Sequence, residues 1–163
     1  MTALAWTPEL QLDHPQMDHT HEEFVALLAE ADAALAAEPA QLLARWQALC
    51  SHTVEHFAQE DRWMAATGFA PENCHAFQHQ AVLQVMQECE RRAREQDDFE
   101  PLRVAVAELA VWFPQHAQMM DAALVHHMAQ VGYDPVSGRC ARPLGGDGEP
   151  APAISGCGGS SCS

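Results

Sequence analysis

The sequence predicts an all-α protein: an up-down-up-down four-helix bundle with a short N-terminal arm and a flexible C-terminal tail. Three observations support this. Four segments carry apolar residues at alternating steps of three and four, the period of one buried helix face. Prolines and glycines stand at the edges of those segments. The connections are short, which makes consecutive helices antiparallel.

The first helix is expected over 18–37, with Asp18 as N-cap and a stripe of His21, Phe24, Leu28, Ala31 and Leu35. The second, over 40–67, follows Pro39 and stops at Gly68. Its stripe is Leu42, Trp46, Leu49, Thr53, His56, Glu60 and Trp63. The third, over 71–96, opens at Pro71 and buries His75, His79, Val82, Met86, Cys89 and Ala93. The fourth, over 101–131, opens at Pro101 and stops at Gly132, with Leu102, Val106, Leu109, Phe113, His116 and Met120 inward. Proline fits the first turn because its missing N–H would be unpaired there anyway, and glycine suits the position just past a helix end. Pro114 lies inside the fourth segment and should kink it. The bundle is therefore expected over 18–133. An arm over 1–17 precedes it, with Trp6 and Leu12 packed on the helices. The Pro, Gly, Ser and Cys-rich stretch over 134–163 is expected to be disordered. No strand or repeat is expected.

Composition narrows the function. The chain has 163 residues, room for one domain with a real core. Eight arginines and no lysine face 23 acidic residues, a formal charge of -15 that disfavours nucleic acid and anionic membrane surfaces. No apolar run approaches the ~20 residues of a membrane span, and the first residues lack a secretory pattern. A cytoplasmic location is the expectation. The six cysteines form no CxxC pair and are expected as thiols in that compartment.

The stripes also contain what a core should avoid. His21, His56, Glu60, His75, His79 and His116 lie on them, with Asp121 beside the fourth. Buried imidazoles and carboxylates cost several kcal/mol each unless paired or metal-bound. A single inward histidine is usually a satisfied core residue; five, with two carboxylates, at one level of an antiparallel bundle are not. His56/Glu60 and His75/His79 are i, i+4 pairs on one helix face. His116/Asp121 is i, i+5, about 140° apart on an ideal helix, which the kink near Pro114 or a position between two ions could reconcile. Seven such ligands exceed a tetrahedral zinc site, and mixed N/O donors suit iron or manganese. Two octahedral ions offer about twelve positions. With both carboxylates bridging, the protein fills about nine and an oxide or hydroxide bridge two more, leaving one for an exogenous ligand.

These residues resemble the hemerythrin family. DHTH (Asp18–His21), HFAQE (His56–Glu60), HAFQH (His75–His79) and HAQMMD (His116–Asp121) match its DxxH, HxxxE, HxxxH and HxxxxD in order, and Trp6 and WFPQH match further landmarks. The resemblance spans roughly residues 6–131 and carries the family's up-down-up-down architecture with it. It implies two iron ions with a bridging oxide or hydroxide: His75, His79 and His116 on one, His21 and His56 on the other, Glu60 and Asp121 between them. Dioxygen would bind reversibly at the two-histidine iron, in a pocket lined by Phe24, Trp112, Phe113 and Ala117. Ala117 departs from the family's bulky aliphatic residue, which implies a roomier pocket and faster autoxidation.

Several residues are set aside. His19/Glu23 and His52/His56 imitate ligand pairs, but His52 lies off the stripe and His19 near the surface; His14, His126 and His127 match no family position. The single ExxH at Glu72–His75 falls short of the two copies that ferritin-like di-iron bundles need. Met64, Met86 and Met120 are read as core, and Cys74 as structural. The leading function is a binding protein, not an enzyme: oxygen storage, buffering or delivery to an oxygen-using enzyme. The alternatives are an oxygen or redox sensor module, or a di-iron enzyme acting on peroxide, acting as an oxidase or donating iron for repair. Signalling versions usually carry an output domain or membrane anchor, and neither is seen here.

Overall fold

In the computed structural model, which describes residues 4–69 and 73–142, helices dominate. A 3₁₀ turn at Pro8–Leu10 leads into α1 (Pro15–Ala33), which tightens to 3₁₀ at Ala34–Ala36. Then come α2 (Pro39–Ala66), α3 (Cys74–Gln96) and α4 (Glu100–His116). A π-helical segment at Ala117–Asp121 passes directly into α5 (Ala122–Val131). Each helix packs on its neighbour in sequence, and α1 closes the ring against α4. The result is the expected four-helix bundle, with α4, the π segment and α5 forming its fourth column.

The helix starts follow local chemistry. α1 begins three residues before the expected 18. His14, not Asp18, is its N-cap, accepting the Met17 N–H on Nδ1, with Pro15 at the first position. Asp18 sits in the first turn and its carboxylate accepts the N–H groups of Leu12 and His14, fastening the arm to the helix. An acidic group there also meets the positive end of the helix dipole. Pro39 opens α2 as expected. α3 opens on an Asn73 cap that accepts the Ala76 N–H; the start expected at Pro71 lies outside the described residues.

The last helix ends at Gly132 with φ +61, and a Cβ there would come 2.8 Å from that of Ala141. That close approach exists because the chain turns back. Tyr133–Asp134 and Arg139–Cys140 pair as two short antiparallel strands, which corrects the expectation of no strand and of disorder from 134. Asp134 closes the turn by accepting the N–H groups of Val136 and Ser137. The rest of the expected tail, 143–163, lies outside the described residues.

The interior is divided. A large apolar cluster fills one end, built on Leu28, Leu42, Trp46, Leu49, Met86, Leu102 and Phe113. A small one of Met17, Trp63, Met64, Leu124 and Met128 closes the other. Trp6 packs on the first and Leu12 on the second. Along every helix the polar stripe residues fall between them. Cys50, Cys89 and Cys140 are free thiols, with burial pushing Cys50 up to about 12. Cys74 is disulfide-bonded, which corrects the expectation that all six are thiols.

Candidate metal centre

Between the two apolar clusters stand His21 from α1, His56 and Glu60 from α2, His75 and His79 from α3, His116 from α4 and Asp121 from the π segment. All seven are buried, and Glu60, His21 and Asp121 are 0% exposed. The structure thus brings every residue of the expected ligand set to one layer. Trp46 and Thr53, on the same stripe of α2, donate to backbone carbonyls instead, Trp46 across to Met86 O of α3 and Thr53 back to Leu49 O.

The i, i+5 pair is reconciled by the backbone. Pro114 has no N–H for the helical ladder, and one turn later the helix widens to π geometry over Ala117–Asp121. A π turn closes i to i+5 bonds, so residues five apart return to one face. Asp121 Oδ1 therefore reaches His116 Nε2 at 3.1 Å. The expected kink is a change of helical pitch.

The carboxylates sit at the centre. Glu60 presents Oε1 to His56 Nε2 at 2.7 Å, and Oε2 to His75 and His79 at 2.8 and 3.3 Å. Asp121 presents Oδ2 to His21 at 3.0 Å, and Oδ1 to His75 and His116 at 2.9 and 3.1 Å. One oxygen of each faces the histidine pair, and the other faces the histidine triplet. Two overlapping ligand groups result: Glu60, His75, His79, His116 and Asp121; and His21, His56, Glu60 and Asp121.

Despite these short separations, the five Nε2 atoms and four carboxylate oxygens have no hydrogen-bond partner among the described residues. Close contact without alignment is what side chains produce when aimed at common points between them. Left so, such buried groups would each cost about 1–3 kcal/mol. The donor set and its geometry fit a pair of metal ions.

Electrostatics agree. Burial alone raises both carboxyls, and Asp121 raises Glu60 further. The facing imidazoles outweigh this, holding Glu60 and Asp121 below their ordinary values. Burial lowers His75, yet Asp121 and Glu60 override it and push His75 up to about 9. His56 is likewise raised against burial, chiefly by Glu60. At His116 burial wins and its pKa is lowered. Without an ion, the raised His56 and His75 are the imidazoles placed to hold the protons that balance the two carboxylates.

Sequence reasoning missed the supports of these rings. His79 Nδ1 meets Asp61 Oδ1 at 3.1 Å, and His116 Nδ1 meets Gln78 Oε1 at 2.9 Å. Phe57 lies parallel on the His79 ring, centroids 3.9 Å apart, and Trp112 stacks on His116 at 4.3 Å. Asp61 and Gln78 each adjoin a ligand position, about 100° round the helix, so the interior period points past them to the neighbouring helix. Of the expected pocket, Phe24 and Phe113 stack on each other, and Phe113 meets His21 edge-on at 5.1 Å. Ala117 is fully buried. Trp112 stands with the triplet. The residues set aside find other tasks: His14 caps α1, His127 Nε2 meets Thr67 O, and Met64 and Met86 are buried core.

A family model described as Hemerythrin HHE cation binding domain matches residues 13–127. The chain is similar to a protein named Bacteriohemerythrin from Ralstonia nicotianae, 36% identical over 134 residues, covering 82% of this chain and 95% of that protein. No solved structure matches.

Proposed function

The chain belongs to the hemerythrin family of di-iron, oxygen-binding proteins, and from that premise we propose how its own residues carry the activity. One observation supports the assignment: each carboxylate divides its two oxygens between two histidine sets of unequal size. His75, His79 and His116 would hold one iron, His21 and His56 the other, and Glu60 and Asp121 would bridge them, with an oxide or hydroxide completing the bridge. Two ferrous ions, when bound, supply the two electrons on which dioxygen binding draws.

The protein's part is to make that binding local and reversible. The two-histidine side is one donor short, so an exogenous ligand is directed there. Phe113 against His21, with Phe24 stacked behind it, keeps that side apolar and excludes water. Phe57 and Trp112 clamp the rings of His79 and His116, while Asp61 and Gln78 hold their Nδ1 atoms and set which nitrogen faces inward. The unit that does this is the bundle over 18–133, to which the preceding arm is fastened at Leu12 and His14.

We place the protein among carriers, storing or buffering dioxygen or delivering it to an oxygen-using enzyme, rather than among enzymes. A cytoplasmic setting belongs to the same reading. The thiols of Cys50, Cys89 and Cys140 support that setting, and the disulfide at Cys74 counts against it. Anaerobic reconstitution with ferrous iron, followed by air and then argon, tests the carrier. Two irons per chain and an absorbance band that appears in air and disappears under argon are expected. Irreversible conversion, or a single ion per chain, would overturn it.

A further inference from the structure

Among the described ion pairs there is one other place where two imidazoles meet one carboxylate. His19 and Glu23 lie one turn apart on the outer face of α1, with His19 Nε2 3.2 Å from Glu23 Oε1. His52, from the neighbouring α2, brings its Nε2 to 3.1 Å from the other oxygen, Oε2. The described ion pairs give Glu23 these two histidines and no arginine. The same contact, imidazole Nε2 on carboxylate oxygen at about 3 Å, recurs throughout the buried layer.

We propose that His19, Glu23 and His52 form a second, peripheral site for a divalent first-row transition-metal ion. Two nitrogens and one oxygen suit zinc, copper or ferrous iron and disfavour calcium and magnesium, which take oxygen ligands. The remaining positions open to solvent, since the side chains of His19 and Glu23 are 72% and 49% exposed. Exposure also supplies the adjustment that binding needs. The two histidines approach opposite oxygens of Glu23, so the three donor atoms as they stand do not all lie within 4.8 Å of one another, and convergence on one ion requires the exposed side chains of His19 and Glu23 to move toward His52. His52, 16% exposed, is the fixed member. Its ring lies nearly parallel to that of His56, centroids 6.1 Å apart and planes at 15°. The peripheral ion would therefore sit one imidazole outward from the two-histidine side of the buried layer.

The site does not depend on what the buried layer holds, and the test keeps the two apart. The chain is first loaded with ferrous iron without oxygen and its iron counted. Zinc is then titrated in by calorimetry while released iron is measured. One zinc per chain, bound without iron release, is expected for the wild type. Glu23→Gln should abolish this event, and His19→Ala should weaken it by about tenfold or more, since even an outer support of a ligand is worth 10–100-fold. Far-UV circular dichroism on both variants separates lost binding from lost helix. Copper(II) added to the loaded chain gives a second readout: its electron paramagnetic resonance should show coupling to two imidazole nitrogens in the wild type and one in His19→Ala. Equal zinc affinity in the wild type and both variants, loss of binding on His126→Ala instead, or heat that tracks iron release would each overturn the proposal.

Discussion

α2 carries one stripe through two regions that are equally buried and opposite in character. Toward its start, Leu42, Trp46 and Leu49 are 0% exposed and surrounded by apolar side chains. Two turns on, His56 and Glu60 are 4% and 0% exposed and turn their Nε2 and carboxylate oxygens toward other polar groups. Removing water is favourable at the first end and costly at the second. Burial therefore says nothing by itself about stability: the apolar end supplies it, and the polar layer consumes it until a charge of the right sign arrives.

A pair of substitutions breaks the comparison most sharply. Glu60→Ala removes the group shared by both ligand sets and should reduce bound iron from two per chain to less than one, measured by metal analysis after desalting. Leu49→Ala should do the reverse. It should lose about 2–5 kcal/mol in denaturant unfolding through the cavity it leaves, yet retain two irons. If both variants lost iron equally, the layer would owe its shape to the core and not to its own carboxylates.

The second prediction uses pH. In the metal-free chain His75 is raised from its ordinary value to about 9. A raised histidine stabilises the fold fully below its unfolded value of about 6.5 and loses that contribution as pH climbs through 9. The metal-free protein should thus lose on the order of 3 kcal/mol at most between pH 6.5 and 9. Glu60 and Asp121 are depressed, so their contribution is present above the ordinary carboxylate range and is lost only as pH falls below it. Iron binding requires neutral imidazoles and strengthens as they lose protons. Thermal melts at matched pH should therefore show the two forms diverging: the metal-free chain declines toward pH 9 while the iron-loaded chain does not. Parallel curves would mean that protons do not stand in for the ions.

Much of this contrast was legible in the sequence, because a histidine or glutamate at a stripe position declares itself against leucine and tryptophan neighbours. What the stripe could not show was a change of helical pitch. The π segment at Ala117–Asp121 obeys no apolar period, and Pro114 announces a disturbance without its kind. The first helix start was obscured by competition: Asp18 is the better capping residue type, but Pro15 places the first turn earlier and leaves His14 to cap. The hairpin after Gly132 has strands of two residues, too short for any alternation to register. The contacts of Asp61, Gln78 and Glu23 cross between helices, and a period along one helix carries no information about what the next one presents.

Asp61 sharpens the comparison within the layer itself. His79 is held by an exposed carboxylate at Nδ1, whereas the Nδ1 atoms of His21 and His75 have no described partner. An acceptor there fixes the ring and raises its basicity as a ligand. Asp61→Asn should therefore weaken iron retention by about 10–100-fold against a competing chelator while leaving helix content intact. Because His79 belongs to the triplet, one of the two irons should leave first, visible as a biphasic release. Monophasic release at the wild-type rate would show that Phe57, stacked on the same ring, suffices to hold it.

The smallest effect expected lies where the polar layer borders the large apolar cluster. Ala117 is 0% exposed, opens the π segment and belongs to the same apolar cluster as Phe24 and Phe113. In the proposed pocket a methyl group at this border would leave less bulk near the two-histidine side than a branched aliphatic, and water that reaches that side promotes oxidation to the ferric state. Ala117→Ile adds apolar volume at the boundary and should slow autoxidation a few-fold, followed as decay of the oxygenated absorbance in air. The added volume opposes itself, since overpacking a filled core costs about 1–3 kcal/mol. Ala117→Val is thus the companion variant, with a smaller gain and less strain. A decay rate that falls from Ala to Val to Ile assigns the border a role in excluding water. A rate unchanged in Val, or faster in both variants, would mean that water enters the layer elsewhere and that the alanine serves only to let the π turn close against its neighbours.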